Sequence, residues 1–196
     1  ILLYPGANHR MTPELIDREL EKYSCGDWLL IQNETNCLKY IMRAANKKGM
    51  KIAFNPSPMD GTVSTLPLEL VDLFLVNEIE GAAVTGKEIT EEITAEFEKL
   101  FPNAAVILTL GKKGSIFKSE KDMLFQPSYC GTVKDTTGAG DTYTGFFIAN
   151  YIKGVSPQEC MRIAAMASTV QISRDGAAIA IPKKQEVLNA LKNHCR

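Results

Sequence analysis

Several scarcities in this chain rule out whole classes of function. Only two of its 196 residues are histidine, His9 and His194, and neither has a metal-ligand neighbour in sequence. Cys25, Cys37, Cys130, Cys160 and Cys195 are scattered, odd in number and free of C-x-x-C spacing, which argues against a zinc site or a disulfide framework. Reduced thiols of this kind predict a cytoplasmic protein. A net charge of −1 gives no electrostatic case for nucleic acid or an anionic membrane as partner. No apolar run approaches a membrane span, and no signal-peptide pattern opens the chain. No G-x-G-x-x-G follows an early strand, which disfavours a dinucleotide-dependent dehydrogenase. There is no internal repeat, low-complexity tract or linker, so residues 1–196 read as a single domain. Opening on the strand-like run Ile1-Leu2-Leu3-Tyr4 without a methionine, the chain reads as part of a longer polypeptide.

What is present is enough for one core: 45% hydrophobic and 23% charged residues are ordinary for a globular domain of this length. After the strand predicted at Ile1-Leu2-Leu3-Tyr4, Pro5-Gly6-Ala7-Asn8 reads as a turn and Thr12-Pro13-Glu14 as a helix start. Asp27-Trp28-Leu29-Leu30-Ile31-Gln32 has strand length, with Trp28 in the core. Asn36 is placed to cap a helix that puts Leu38, Ile41, Met42 and Ala45 on one face and stops at Gly49. Strands follow at residues 51–54, 73–76 and 106–110. Helices follow Asn77-Glu78-Ile79-Glu80 and occupy residues 91–101. Strands alternating with helices predict an α/β fold with a mostly parallel sheet and helices on both faces. Ligands of such sheets bind beyond the carboxyl ends of the strands. The turns at Gln32-Asn33-Glu34, Asn55, Asn77 and Gly111 are expected there, on the side of the loop at residues 138–141.

That loop is the most informative stretch. Residues 123–127 and 129–133 upstream read as extended, and residues 141–153 carry a helical stripe of Phe146, Phe147, Ile148, Tyr151 and Ile152 ending at Gly154. The N-terminus of a helix carries about half a positive charge and exposes N–H groups, which suits a phosphate. Gly138 and Gly140 let a ligand approach the backbone closely. Asp141 reads either as a general base aimed at an attacking hydroxyl or as an N-cap. Further on, Ser156-Pro157-Gln158-Glu159 is a capping-box pattern. Its helix has a small face of Ala164, Ala165, Ala167 and Ser168, which serves either close helix packing or a slot for a flat ring.

Asp135-Thr136-Thr137-Gly138-Ala139-Gly140-Asp141 matches D-T-x-G-A-G-D, and here the chain resembles the ribokinase-like (PfkB) carbohydrate kinase family. Further matches follow in family order: Gly6-Ala7-Asn8, Gln32-x-Glu34, Asn55-Pro56-Ser57-Pro58, Asn77-Glu78-x-Glu80, Thr109-Leu110-Gly111-x-x-Gly114 and Ser173-Arg174-x-Gly176. The resemblance implies a three-layer α/β/α ribokinase-like fold. It also implies ATP-dependent phosphorylation of a sugar hydroxyl, with ribose favoured. Fructose, ketodeoxygluconate or a nucleoside are alternative acceptors, and a non-catalytic nucleotide-binding fragment is the alternative of a different class. Asp141 would be the base, and the N–H groups of Gly138, Ala139 and Gly140 the anion hole. Asn77 and Glu80 would organise Mg²⁺ through water; a helix cap with a first-turn acid is the plain alternative for this pair. Asn77, Thr109, Leu110, Gly111, Lys112, Lys113, Gly114, Gly140 and Ala164 would border the nucleotide, and Glu34 would contact the sugar. Asp135, Thr137, Gln171, Arg174, Gly176 and Ala180 map onto a monovalent-cation site, with K⁺ the expected activator. Ala180 departs from a hydroxyl-bearing ligand, and Arg174 has Asp135 or a phosphate as other partners. The family also carries an upstream portion, about another third of its length, with most sugar contacts, a lid and a dimer surface. The resemblance thus implies a homodimer for the full-length protein, of which this chain lacks the N-terminal portion and lid.

Overall fold

A computed structural model of the chain describes residues 4–194. The strand expected at the start falls on residues 1–3, outside the described residues, and on Tyr4, which is exposed and not in a strand. The chain divides into two compact units, one running to Ile107 and including Ser119–Lys121, the other formed by Leu108–Lys118 and residues from 122 onward.

Six strands form one sheet: β1 (Trp28–Gln32), β2 (Lys51–Asn55), β3 (Leu73–Asn77), β4 (Ala105–Thr109), β5 (Ser115–Lys118) and β6 (Met123–Gln126). Their order across the sheet is their order along the chain. β1, β2 and β3 run parallel, and β5 and β6 pair antiparallel. Leu73, Phe74, Leu75 and Val76 of β3 are all buried, as are Val106, Ile107 and Leu108 of β4. Strands apolar on both sides belong to a sheet covered on both faces. With seven helices among the described residues, this is a three-layer α/β/α fold.

The first unit holds α1 (Pro13–Leu20), α2 (Leu38–Lys47), α3 (Glu78–Thr85) and α4 (Thr90–Leu100). Thr12 caps α1 by accepting from the Leu15 N–H, with Pro13 at the first helical position. Leu38, Ile41, Met42 and Ala45 make the buried face of α2. Asn36 does not cap this helix. Cys37 takes a left-handed conformation (φ 61°) at the cap position, and the Asn36 amide instead brackets Met11, accepting from its N–H at 3.1 Å and donating to its carbonyl at 3.0 Å. Trp28 is half-buried rather than core, since it sits at the start of β1. Gln32 lies level with Asn55, so β1 and β2 end at the same edge of the unit.

The second unit contains α5 (Ala139–Tyr151), α6 (Pro157–Ile172) and α7 (Lys184–His194). Phe147 lies between Phe117 of β5 and Tyr143 and Tyr151 of its own helix, all within 6.4 Å centroid to centroid. Ile163, Met166 and Ala167 of α6 pack with Val187 and Leu191 of α7. Ser156 caps α6 through the Glu159 N–H, but the Glu159 carboxylate binds Arg162 at 2.6 and 2.7 Å rather than closing the capping box. Residues 129–133 are not in a strand. The extended pattern there serves packing instead, with Tyr129 on the α6–α7 cluster.

Candidate active site

The 135–141 loop is folded around its first carboxylate. One oxygen of Asp135 accepts from the Thr137 N–H at 2.9 Å and the other from the Gly176 N–H at 3.1 Å. The Thr137 N–H, the Thr137 side chain and the Gly176 N–H hold the Asp135 carboxyl below the usual aspartate range. Gly138 then takes a left-handed conformation (φ 80°) as the N-cap of α5, with no side-chain oxygen on the cap. A side chain there would be strained, which accounts for the glycine. Ala139, Gly140 and Asp141 form the first turn, so Asp141 is not the cap. It is exposed at the positive end of the helix. Of the three N–H donors expected for an anion hole, that of Ala139 turns back onto the Thr136 carbonyl at 3.2 Å, closing the tight turn.

Gly140 is informative because nothing in the chain requires it. Its φ is not in the left-handed region, and a Cβ built on it would meet no atom within 4 Å. Glycine in a helix costs about 1 kcal/mol relative to alanine. A glycine there leaves room for a ligand to approach the backbone closely.

Of the residues assigned by resemblance to a monovalent-cation site, the fold brings together Asp135, Thr137, Gln171 and Gly176. The Gln171 amide nitrogen donates to the Thr137 carbonyl at 2.7 Å and to the Gly176 carbonyl at 3.4 Å. Arg174 instead turns its guanidinium to Glu186 at 2.6 Å, so its side chain pairs with neither Asp135 nor a phosphate-binding loop. Ala180 is buried and offers no hydroxyl.

A cavity of about 320 Å³ opens beside this loop within the second unit. Thr109, Gly111, Lys112 and Gly114 line it from the β4–β5 turn, and Ala139, Gly140 and Tyr143 from α5. Leu110, buried, and Lys113 are not part of its wall. Gly114 has φ 123°, and a Cβ there would stand 2.1 Å from the Gln126 carbonyl oxygen, so the turn admits only glycine. The small-faced helix splits its duties. Ala164 and Ala167 are fully buried in helix packing, whereas Ala165, Ser168 and Thr169 reach the wall, so Ala164 is one position off the expected border. The Ser168 hydroxyl also donates to the Ala139 carbonyl at 3.0 Å, fixing the first turn of α5 to α6. In the wall itself, the Ser115 and Tyr143 hydroxyls lie 2.7 Å apart in a buried pair, and burial pushes the Tyr143 phenol up. Sequence reasoning missed this pair. Its only signal is a serine placed directly before the apolar pair Ile116-Phe117.

In the first unit, Asn77 and Glu80 form a reciprocal cap on α3. The Asn77 side-chain oxygen accepts from the Glu80 N–H, and Glu80 accepts from the Asn77 N–H, each at 2.9 Å. Glu80 is buried. Glu34 is exposed in the turn after β1, where the Thr35 hydroxyl and Asn36 N–H both donate to the Asn8 carbonyl.

The sequence pattern of the pfkB family carbohydrate kinases matches residues 1–184. The chain belongs to this family. A ribokinase of Haemophilus influenzae is 30% identical over 98% of the chain and 65% of its own length, and one of Lactococcus lactis is 31% identical over 98% and 63%. In structure, a ribokinase of Thermotoga maritima superposes with a TM-score of 0.84 at 29% identity over 98% of this chain and 65% of that one. The Arabidopsis thaliana ribokinase, solved in complex with ribose and ATP, gives 0.83 at 28% identity over 97% and 64%. The PfkB chain described here therefore spans less than two thirds of each of these relatives.

The donor sets of this PfkB chain suit only certain ions. Among the described residues there is no group of three His, Cys, Asp or Glu side chains able to hold a metal. Asn77 and Glu80 are already engaged in the helix cap, so a hard divalent ion would meet them through water, as Mg²⁺ commonly does. One carboxylate with several carbonyls, the set around Asp135, suits a singly charged cation.

Proposed function

We propose that the chain is the nucleotide-binding and catalytic part of an ATP-dependent sugar kinase whose acceptor is a hydroxyl of ribose. The observation that carries this is an exposed carboxylate, Asp141, three residues beyond a glycine N-cap whose next two residues line a 320 Å³ cavity. That cavity has room for a nucleobase, and the ribose assignment leans on the relatives called ribokinase. Asp141 takes the proton of the attacking sugar hydroxyl. The sugar oxygen then bonds to the γ-phosphorus as the bond to the bridging oxygen breaks, and ADP leaves with that electron pair. Backbone N–H groups of the glycine loop and the α5 dipole stabilise the charge spread over the transferred phosphoryl, and positioning supplies the rest.

In this reading Asn77 and Glu80 would hold Mg²⁺ through water, which would supply neutralisation of phosphate charge. Asp135 and the carbonyls of Thr137 and Gly176 would hold K⁺, which would add to the stiffness of the loop before the anion hole. Glu34 touches the sugar, and the full-length protein works in the cytoplasm as a homodimer. The test is ADP release by the full-length protein over ribose, fructose, ketodeoxygluconate and a nucleoside. Asp141→Asn is expected to lower kcat by about a thousandfold, within the roughly 10²–10⁴-fold range of general-base loss, while ATP affinity stays within a small factor. Undiminished turnover in Asp141→Asn would remove the base assignment, and ADP release with fructose alone would remove ribose.

A further inference from the structure

Two backbone carbonyls, of Thr137 and Gly176, converge on the amide nitrogen of Gln171 at 2.7 and 3.4 Å. Carbonyl oxygens aimed at one point repel unless something positive stands between them. A cation could fill that place; here the carboxamide N–H groups do. Gln171 is fully buried near the end of α6, and its own side-chain oxygen has no hydrogen-bond partner. Burying an unpaired oxygen costs stability, so the chain keeps this residue against a penalty. The same segment is strapped to α6 a second time, since the Lys134 and Asp135 N–H groups both approach the Ile172 carbonyl, at 2.8 and 3.3 Å.

We infer that Gln171 is a positioning residue that acts as a built-in substitute for the monovalent cation. Its amide nitrogen pins the Thr137 carbonyl, and with it the glycine loop that follows, when no ion is present. With K⁺ bound, the carboxamide would turn over, and its unpartnered oxygen would supply a ligand. The two states use the two ends of one side chain, which accounts for both the bidentate donor and the orphaned acceptor. The consequence is a kinase in which the stiffening that K⁺ would give this loop is largely redundant while Gln171 stands. This rests on the kinase reading above for its catalytic readout only.

The test compares full-length wild type with Gln171→Met, which keeps volume and loses both polar ends. Rate and melting temperature are measured in KCl and in choline chloride at equal ionic strength. Wild type should change little between the salts. Gln171→Met should fall about tenfold in choline chloride and recover most of that loss in KCl, the scale typical of losing a group that orients a ligand set. Its melting temperature should rise more with K⁺ than that of wild type. Equal salt responses of the two proteins in both readouts would overturn the inference. If neither protein phosphorylates any sugar, the kinase reading fails while the melting comparison still decides the tether. Should Gln171→Met not fold, Gln171→Glu takes its place: a carboxylate there should lower the K⁺ midpoint of the melting shift about tenfold, and an unchanged midpoint would equally overturn the inference.

Discussion

Gly114 and Gly140 look interchangeable in the sequence, each in a glycine-containing loop beside the same cavity. A Cβ separates them. At Gly114 it would lie 2.1 Å from the Gln126 carbonyl oxygen, on a backbone with φ 123°. At Gly140 it would meet nothing within 4 Å. Gly114→Ala should therefore lower stability by about 2 kcal/mol or more, through strain at a backbone conformation alanine resists. Gly140→Ala should leave stability unchanged or raise it by up to about 1 kcal/mol, because alanine favours the helix. Its methyl group would enter the space a phosphoryl needs, so its turnover should drop although the fold is firmer. Urea melts and steady-state rates on both variants check this. A destabilised Gly140→Ala would mean the glycine serves the fold and not a ligand.

Elements that announce themselves locally were legible, and those fixed by distant partners were not. Thr12-Pro13 and Ser156-Pro157 carry their capping oxygens and their proline in one short run, and both helices start where that run says. Asn36 has the same local credentials, yet its amide is claimed by Met11, 25 residues away, which no local pattern reveals. The site divides likewise. The glycine loop was legible because its backbone demands are written in residue types. The pairing of Arg174 with Glu186 and the burial of the Ser115–Tyr143 hydroxyls depend on how elements meet. Asn77 and Glu80 form the helix cap of the plainer reading, and whether that cap also faces a hydrated ion is put to the test by one variant. Glu80→Ala removes the bond to the Asn77 N–H and should cost about 1 kcal/mol in α3 stability. If the pair also organises Mg²⁺, the same variant should need more Mg²⁺ for half-maximal rate, and Glu80→Gln should restore much of the stability without restoring the Mg²⁺ response. An unaltered Mg²⁺ titration in both variants would leave the pair as a cap alone.

For the chain as a whole, the titrating groups set a stability window in pH. Asp135 is held low by the Thr137 and Gly176 N–H groups, and Glu186 by the Lys183 N–H and Arg174. Carboxyls depressed in the fold bind fewer protons there than in the unfolded chain. Their contribution is present above the unfolded value, near 3.8 for Asp135, and is lost as pH falls toward the lower folded value. At the other end, burial raises the Tyr143 phenol from its ordinary 10.0 and pushes the Cys160 thiol up to about 11 from 9.0. A group whose folded value is raised stabilises fully below its unfolded value and loses that contribution as pH climbs. Stability should accordingly be flat through neutral pH, fall below about pH 4 through the carboxyls, and fall above about pH 9 through Cys160 and then Tyr143. Each limb has its own variant. Asp135→Asn should be less stable at pH 7 and show a shallower acid limb. Tyr143→Phe should lose about 1 kcal/mol at pH 7 with the Ser115 hydrogen bond and flatten the alkaline limb above pH 10. Urea melts from pH 3 to 11 measure both. An alkaline limb in Tyr143→Phe as steep as that of the parent would show that the phenol ionises without opening the fold.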